Sequence, residues 1–246
     1  MTATDTDQYV YGIVRTGTPT PPVAGVDDEP VDVLTAGDLA VLVSPVVDAG
    51  EIGTPENLLA HSRVLDQVAA GDAVLPMAFG TVVPDADVLV EDILPRLHDD
   101  YLERLHRIEG ATQFTVRARY VEDAVLAEVI WENPNIARLR ESTVGTTEEE
   151  SYNERIELGR SVSDAIGRKA EEDARALSER LTPLSRDLVI RERTSAEDVA
   201  EIVALVDRNA QADFERAVES LAAESAGRII FRLLGPQAPY DFVGEV

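Results

Sequence analysis

The chain has 246 residues, of which 44% are hydrophobic, enough for two domains of ordinary size with proper cores. Its 47 acidic and 22 basic residues give a formal net charge of -25, which argues against nucleic acid or an anionic membrane as partner. The absence of cysteine excludes disulfides, cysteine-ligated zinc and thiol nucleophiles.

The acidic residues are spread along the whole chain, so we interpret them as a solvated surface rather than as one face built for a basic partner. The sequence contains no run of about 18 apolar residues, which is the length that a membrane-spanning helix needs. The first eight residues lack the basic and apolar regions of a secretory signal. We therefore expect a soluble, cytoplasmic protein.

The first half of the chain predicts a small α+β unit. Its expected elements are a strand at 9–14, a loop at 16–30, a hairpin of 31–35 and 39–43, a helix from 55 to 71, a strand at 74–82 and a helix from 84 to 108. Gly37 supplies the hairpin turn. Thr54 is the expected N-cap of the first helix, with Pro55 at a position where a missing N–H costs little. Pro95 interrupts the apolar stripe of the second helix and predicts a kink there.

The segment 74–82, Val-Leu-Pro-Met-Ala-Phe-Gly-Thr-Val, is the least ordinary part of this half. Its apolar residues favour a buried strand, but Pro76 cannot donate to a sheet ladder and Gly80 allows a sharp bend. From physics alone we favour a strand end that turns into a loop beneath a core, although the element order above counts the whole segment as a strand.

The second half predicts a strand at 114–121, a helix at 123–132 with a further turn at 136–139, and a long helix from Glu148 to Leu181. A strand at 187–193, a strand at 198–207, a helix at 209–223 and a strand at 228–235 follow. The segment 198–207 also fits a helix, and we choose the strand. Gly159 and Gly167 lie inside the long helix, where small residues would let another backbone come close.

The order strand, helix, strand, strand, helix, strand is the ferredoxin-like arrangement, with helices on one face of an antiparallel sheet. We therefore predict an α+β protein of two domains. Residues 1–110 form a smaller N-terminal α+β domain of modified ferredoxin-like type. Residues 111–246 form a C-terminal ferredoxin-like βαββαβ domain that carries the long helix and a C-terminal tail.

No catalytic constellation is recognisable. The histidines at 61, 98 and 106 lack metal-ligand spacing and are interpreted as packing or surface residues. There is no Gly-x-Ser-x-Gly elbow and no phosphate-binding glycine loop. The acidic run 148–150 could bind a cation, but such a run is more often a helix N-terminus or solvent-facing chain. We predict neither an enzyme nor a cofactor.

Three segments carry a family resemblance. Residues 74–82 resemble the "LPM-x-FGT" signature of the gas vesicle protein F/L family (GvpF/GvpL), and 235–243 resemble its C-terminal "GPWPPYxFV" ending. The start, 9–14, is similar to the family's opening strand. The chain departs from the pattern at Ala78, where the family often has a basic residue, and at Gln237 and Ala238, which replace Trp and Pro. A contact made through that Trp is therefore not implied here.

The resemblance implies a two-domain α+β protein that helps to build gas vesicles, as an accessory or minor structural component located in the cytoplasm and at the vesicle. It implies association with the hydrophobic shell protein and with other accessory proteins, and no catalytic activity. F-type and L-type membership stay open. The partner-binding residues that we predict lie in the two motifs: Pro76, Met77, Phe79, Gly80, Pro236, Pro239, Tyr240 and Phe242.

A soluble protein with one apolar patch could hold the shell subunit before assembly, and we expect that patch near Met77 and Phe79 in the N-terminal domain. The alternative for these two residues is an ordinary core position. A different alternative for the whole protein is a ferredoxin-like regulator that binds a small ligand, or a cofactor-free enzyme.

Overall fold

The structure of the chain is a computed structural model that describes residues 7–46, 52–147 and 149–244. Within these ranges, no helix combines the length and the apolar content that a membrane crossing requires. Two sheets and their helices make up the molecule, so the predicted α+β class is confirmed.

The chain divides into two compact units. The first unit consists of Met1–Phe114, Leu205–Arg208 and Gly235–Val246, and the second of Thr115–Ala204 and Asn209–Leu234. The sequence placed the boundary at 110/111 and the C-terminal segment in the second domain. That domain boundary stays a prediction, whereas the contacts group the C-terminal segment with the first unit. The reason is a set of hydrogen bonds from this segment to residues of the first unit, described below.

The first unit is built on an antiparallel sheet in the order β2-β3-β1-β4, with β5 also paired to β1. Its strands are β1 (Gln8–Arg15), β2 (Asp32–Ala36), β3 (Leu39–Pro45), β4 (Val74–Pro76) and β5 (Val82–Val83). Strand β1 is buried from Tyr9 to Val14 because it has neighbours on both sides. The predicted hairpin is confirmed as β2 and β3, and Gly37 takes the positive φ of 64° that their turn requires.

The helices of the first unit begin at or near the residues that the sequence predicted. They are α1 (Pro55–Ala69), α2 (Ala86–Val88), a π-helical turn (Leu89–Ile93), α3 (Leu94–Arg96) and α4 (His98–Ile108), with short 3-10 turns at Val26–Asp28 and Tyr240–Phe242. The Thr54 hydroxyl accepts from the Asn57 N–H at 3.2 Å, which confirms the predicted N-cap. The helix predicted at 84–108 is broken at Leu97, two residues after Pro95, as the proline indicated.

The second unit contains the ferredoxin-like elements in the predicted order. The second sheet, in the order β7-β8-β6-β9, consists of β6 (Ala111–Tyr120), β7 (Asp187–Arg191), β8 (Asp198–Asp207) and β9 (Ile229–Gln237). One end each of β6, β8 and β9 is grouped with the first unit. The helices of the second unit are α5 (Glu122–Glu132), α6 (Pro134–Thr143), α7 (Tyr152–Leu181) and α8 (Gln211–Glu224). The choice of a strand for 198–207 is confirmed. The long helix begins at Tyr152 rather than Glu148, a residue outside the described ranges.

A part-buried polar network ties the helices of the second unit to its sheet. The Arg228 guanidinium donates to Glu128 at 2.8 Å and to Asp173 at 2.7 Å, and Asp173 also accepts from the Tyr120 hydroxyl. Lys169, the only lysine, reaches Glu128 from α7 at 3.1 Å. Bonds between charged groups shielded from water are stronger than exposed ones, so this network holds α5 and α7 against the ends of two strands.

Candidate functional site

The Met77–Thr81 segment is a loop that interrupts an edge strand. Strand β4 ends at Pro76, and the next backbone bond, from the Met77 N–H to the Tyr11 carbonyl, is 2.8 Å long. The chain then turns, with Gly80 at a φ of 88° and the Thr81 N–H donating to the Ala78 carbonyl at 3.2 Å. It rejoins β1 as β5. The assignment of 74–82 as one strand is therefore wrong, and the interpretation favoured from physics, a strand end turning into a loop, is confirmed.

Phe79 folds back from this loop onto a buried aromatic cluster. Its ring lies 5.7 Å from the ring of His61 and 6.4 Å from that of Tyr9, measured between centroids. The Gly80 N–H donates to the Tyr9 hydroxyl at 3.1 Å, and that hydroxyl lies 2.9 Å from His61 Nδ1. The Phe79 ring and the Gly80 N–H therefore anchor the loop to this cluster.

The electrostatics of the cluster follow from its burial. Loss of water lowers the pKa of His61 to about 4 and raises the pKa of Tyr9 to about 12. His61 Nδ1 is bonded to the Tyr9 hydroxyl, while Nε2 is buried and has no hydrogen-bond partner among the described residues. A neutral, enclosed histidine of this kind packs and accepts hydrogen bonds; it is not exposed to a substrate.

The C-terminal segment, Gly235–Gly244, lies in the same unit as the loop. The Ala238 N–H donates to Asp66 Oδ1 of α1 at 2.8 Å, and Thr112 Oγ1 donates to the Gln237 carbonyl at 3.0 Å. Gly235 has a φ of 137°, and a Cβ there would lie 2.6 Å from the Phe114 ring. Only glycine can occupy this position without displacing its neighbour.

Tyr240 connects the C-terminal segment to the neighbourhood of the loop. Partial burial raises the pKa of Tyr240, and the nearby acidic groups of Asp66 and Tyr9 raise it further. Ala238 belongs to the same hydrophobic core as Tyr9, and Phe79 packs against that core. The two motifs, about 160 residues apart in sequence, therefore meet around one core.

The eight residues predicted to bind a partner are not equally available at the surface. Gly80, Pro236 and Tyr240 are exposed, the last at 39%. Met77 and Phe79 are half-buried. Pro76, Pro239 and Phe242 are buried, so these three hold the motifs in place rather than offer side chains to a partner.

The chemistry of this region is suited to recognition. Among the residues described here, no three or more His, Cys, Asp or Glu side chains are grouped so as to hold a metal ion. Burial raises the pKa of the Asp66 carboxyl, but its bond from the Ala238 N–H gives it a structural partner. The residues of the predicted set that are not buried are aromatic, apolar or glycine, and none of them is charged.

A second apolar surface, which sequence reasoning missed, lies on α5 and α6. Trp131, the only tryptophan, is 86% exposed there. It lines an open groove of about 730 Å³ together with Leu126, Ala127, Ile130 and Ala137. The signal was present in the sequence, because Val125 and Val129 mark the buried face of α5 and Trp131 falls off that face.

Comparisons with known proteins give one consistent result. The family model described as "Gas vesicle synthesis protein GvpL/GvpF" matches residues 8–244. Gas vesicle protein F of Streptomyces sp. (strain CB03234) is 34% identical over an alignment of 241 residues that covers 96% of this chain and 98% of that protein. The crystal structure of GvpF from Anabaena sp. PCC7120 superposes with a TM-score of 0.84 at 21% identity, covering 98% of this chain and 99% of that one. GvpF from Microcystis aeruginosa gives a TM-score of 0.80 at 19% identity, with coverages of 97% and 99%.

Proposed function

This chain belongs to the gas vesicle synthesis protein GvpL/GvpF family, and we propose that it binds the hydrophobic shell subunit during gas vesicle assembly. One observation carries the proposal: Phe79 of the loop packs against a core in the first unit that contains Ala238 of the C-terminal segment, so the two motifs meet there. We define the assembly patch as Met77, Phe79, Gly80, Pro236 and Tyr240, the five predicted residues that are not buried.

The physical argument concerns the shell subunit before assembly. A subunit that will line a gas-filled shell must expose apolar surface, which aggregates in water unless a partner covers it. The assembly patch offers aromatic and apolar groups, while the charge of -25 favours the solubility of the protein. In this proposal the protein acts in the cytoplasm and at the vesicle, with other accessory proteins, and without catalysis, nucleic acid or membrane.

The test is co-expression of this protein with the shell subunit in a cell that lacks other vesicle proteins. We expect the shell subunit to become soluble and to co-purify with the wild type. Phe79→Asp and Tyr240→Ala should each reduce the recovered shell subunit at least about tenfold, because both remove apolar contact from the patch. Phe79 touches Tyr9 and His61, so circular dichroism and thermal melting must first show that the Asp variant is folded.

Trp131→Ala is the matched control, because it removes a more exposed aromatic side chain from the other unit. Undiminished co-purification by folded Phe79→Asp and Tyr240→Ala proteins would refute the assembly patch. Loss of co-purification in Trp131→Ala alone would move the binding surface to the groove on α5 and α6. A shell subunit that precipitates alone in the presence of the wild type would contradict direct binding.

A further inference from the structure

Strand β7 is an edge strand whose outer side has no neighbour among the described strands. It comes first in the order β7-β8-β6-β9, so only one of its sides pairs, with β8. The strand is open to solvent, with Val189 39% and Ile190 45% exposed. The Leu188 N–H donates to its neighbouring side chain, Asp187 Oδ1, at 2.8 Å. Such an edge is a template for another strand, and natural proteins usually block or cover it.

The sequence around β7 is complementary to itself in the antiparallel direction. It reads Arg-Asp-Leu-Val-Ile-Arg-Glu from residue 186 to residue 192. If two copies pair with Val189 opposite Val189, Asp187 faces Arg191 of the second copy and Arg186 faces Glu192 of the second copy. Leu188 then faces Ile190. Every charged residue of the segment meets an opposite charge, which stabilises a cross-strand pair.

Antiparallel pairings shifted by one residue lose this match of opposite charges. A shift of one residue in one direction places Arg186 opposite Arg191, and a shift in the other places Asp187 opposite Glu192. Like charges directly opposite each other are destabilising. The charge pattern therefore favours the register centred on Val189 over the registers shifted by one residue.

From this pattern we infer that β7 pairs antiparallel with β7 of a second copy of this chain, around a two-fold axis at Val189. The two four-stranded sheets then become one sheet of eight strands. The contact is isologous, since each copy contributes the same residues. The inference does not depend on the proposed binding of the shell subunit, and it uses the second unit rather than the assembly patch.

Two further observations favour a second copy as the occupant. Segment 186–192 has two arginines and two acids, so its formal charge is zero in a chain of -25, and two copies meet little net repulsion here. Arg191 is held by Glu201 on the adjacent strand β8, which orders its side chain before association. Less conformational entropy is then lost on binding.

Cross-linking gives the first test. The native chain has no cysteine, so a single Val189→Cys substitution places the only thiol on the proposed axis. Mild oxidation with copper phenanthroline should form the disulfide dimer at least about tenfold faster than in Ile156→Cys, since facing Cβ atoms in an antiparallel pair lie close together. Ile156 is 41% exposed on α7 and is the matched control. Equal rates in the two variants would overturn the proposal.

A charge exchange tests the register independently of oxidation. Arg186→Glu and Glu192→Arg each place like charges opposite one another at two points of the dimer, and each should raise its dissociation constant about tenfold. The double variant restores opposite charges and should recover the wild-type constant, as measured by sedimentation equilibrium. Failure of the double variant to recover, or a wild type that stays monomeric up to the concentrations used for cross-linking, would show that β7 does not join copies.

Discussion

His61 shows that the role of a single residue depends on how distant parts of the chain enclose it. The sequence indicated a packing or surface role for all three histidines, and the structure confirms packing for this one, which is 1% exposed. Its ring stacks on Tyr11, with the planes 25° apart and the centroids 5.7 Å apart. His98 is half-buried and His106 is exposed, both on α4. The helical pattern placed these side chains on helices, but enclosure required Tyr9 and Phe79 to arrive from other parts of the chain.

We expect the His61 imidazole to make stability depend on pH. Its pKa is about 4 in the folded protein and about 6.5 in the unfolded chain, so the unfolded state binds more protons between these values. Protonation of the unfolded chain therefore lowers the free energy of unfolding as the pH falls from about 6.5 toward 4, and has little effect at higher pH. Between pH 7.5 and pH 5 the loss should be about 2 kcal/mol of unfolding free energy.

Urea unfolding at the two pH values measures this loss, and His61→Gln is the control because it cannot titrate. The wild type should lose about 2 kcal/mol more than the variant. The carboxylates contribute to both proteins and cancel in the comparison. If the two proteins lose the same amount, His61 is not kept neutral by burial.

At the scale of elements, the surroundings of α7 contradict an expectation about Gly159 and Gly167. The sequence suggested that Gly159 and Gly167 let another backbone come close. A Cβ built at either position meets no described atom within 4 Å, so neither glycine marks a close approach. The close approaches occur instead at Gly12, Gly25 and Gly235; a Cβ on Gly12 would lie 2.6 Å from the Leu75 carbonyl oxygen. Spacing along a helix could not reveal this, because the distance to another element is a tertiary property.

Gly159→Ala should therefore stabilise the protein. Alanine loses less backbone entropy than glycine in a helix, and the expected gain is up to about 1 kcal/mol of unfolding free energy. Gly12→Ala should have the opposite effect and cost about 1–3 kcal/mol, since β1 and β4 would have to separate. Denaturant unfolding of both variants checks the contrast, and a destabilised Gly159→Ala protein would indicate a partner on that face of α7.

The segment 74–83 is an element that the sequence described only partly. Pro76 and Gly80 signalled an irregular strand, and both act as expected, at the strand end and in the turn. The sequence could not show that β4 and β5 pair with the same side of β1, because strand pairing between distant segments leaves no local pattern. That pairing is what presents Met77 and Phe79 on a loop.

For the whole molecule, the net charge of -25 lowers the stability of the folded state. Self-repulsion among the acids disfavours a compact state, and salt screens it over a Debye length of about 10 Å at 0.1 M. We expect the melting temperature to rise by several degrees when NaCl increases from low millimolar concentrations to 0.5 M. Differential scanning calorimetry measures the shift, and KCl should give the same rise. A fall in melting temperature would mean that ion pairs such as those of Arg228 outweigh the repulsion.

The sequence by itself determined the fold class, most helices and strands, and the family, because these depend on local periodicity, caps and short motifs such as 74–82 and 235–243. Only the tertiary structure decided that these two motifs meet around one core, and that Trp131 is open to solvent. It also showed that Pro76, Pro239 and Phe242 are buried. Burial and contact between distant segments arise from the packing of the whole chain, so no local stretch of sequence contains them.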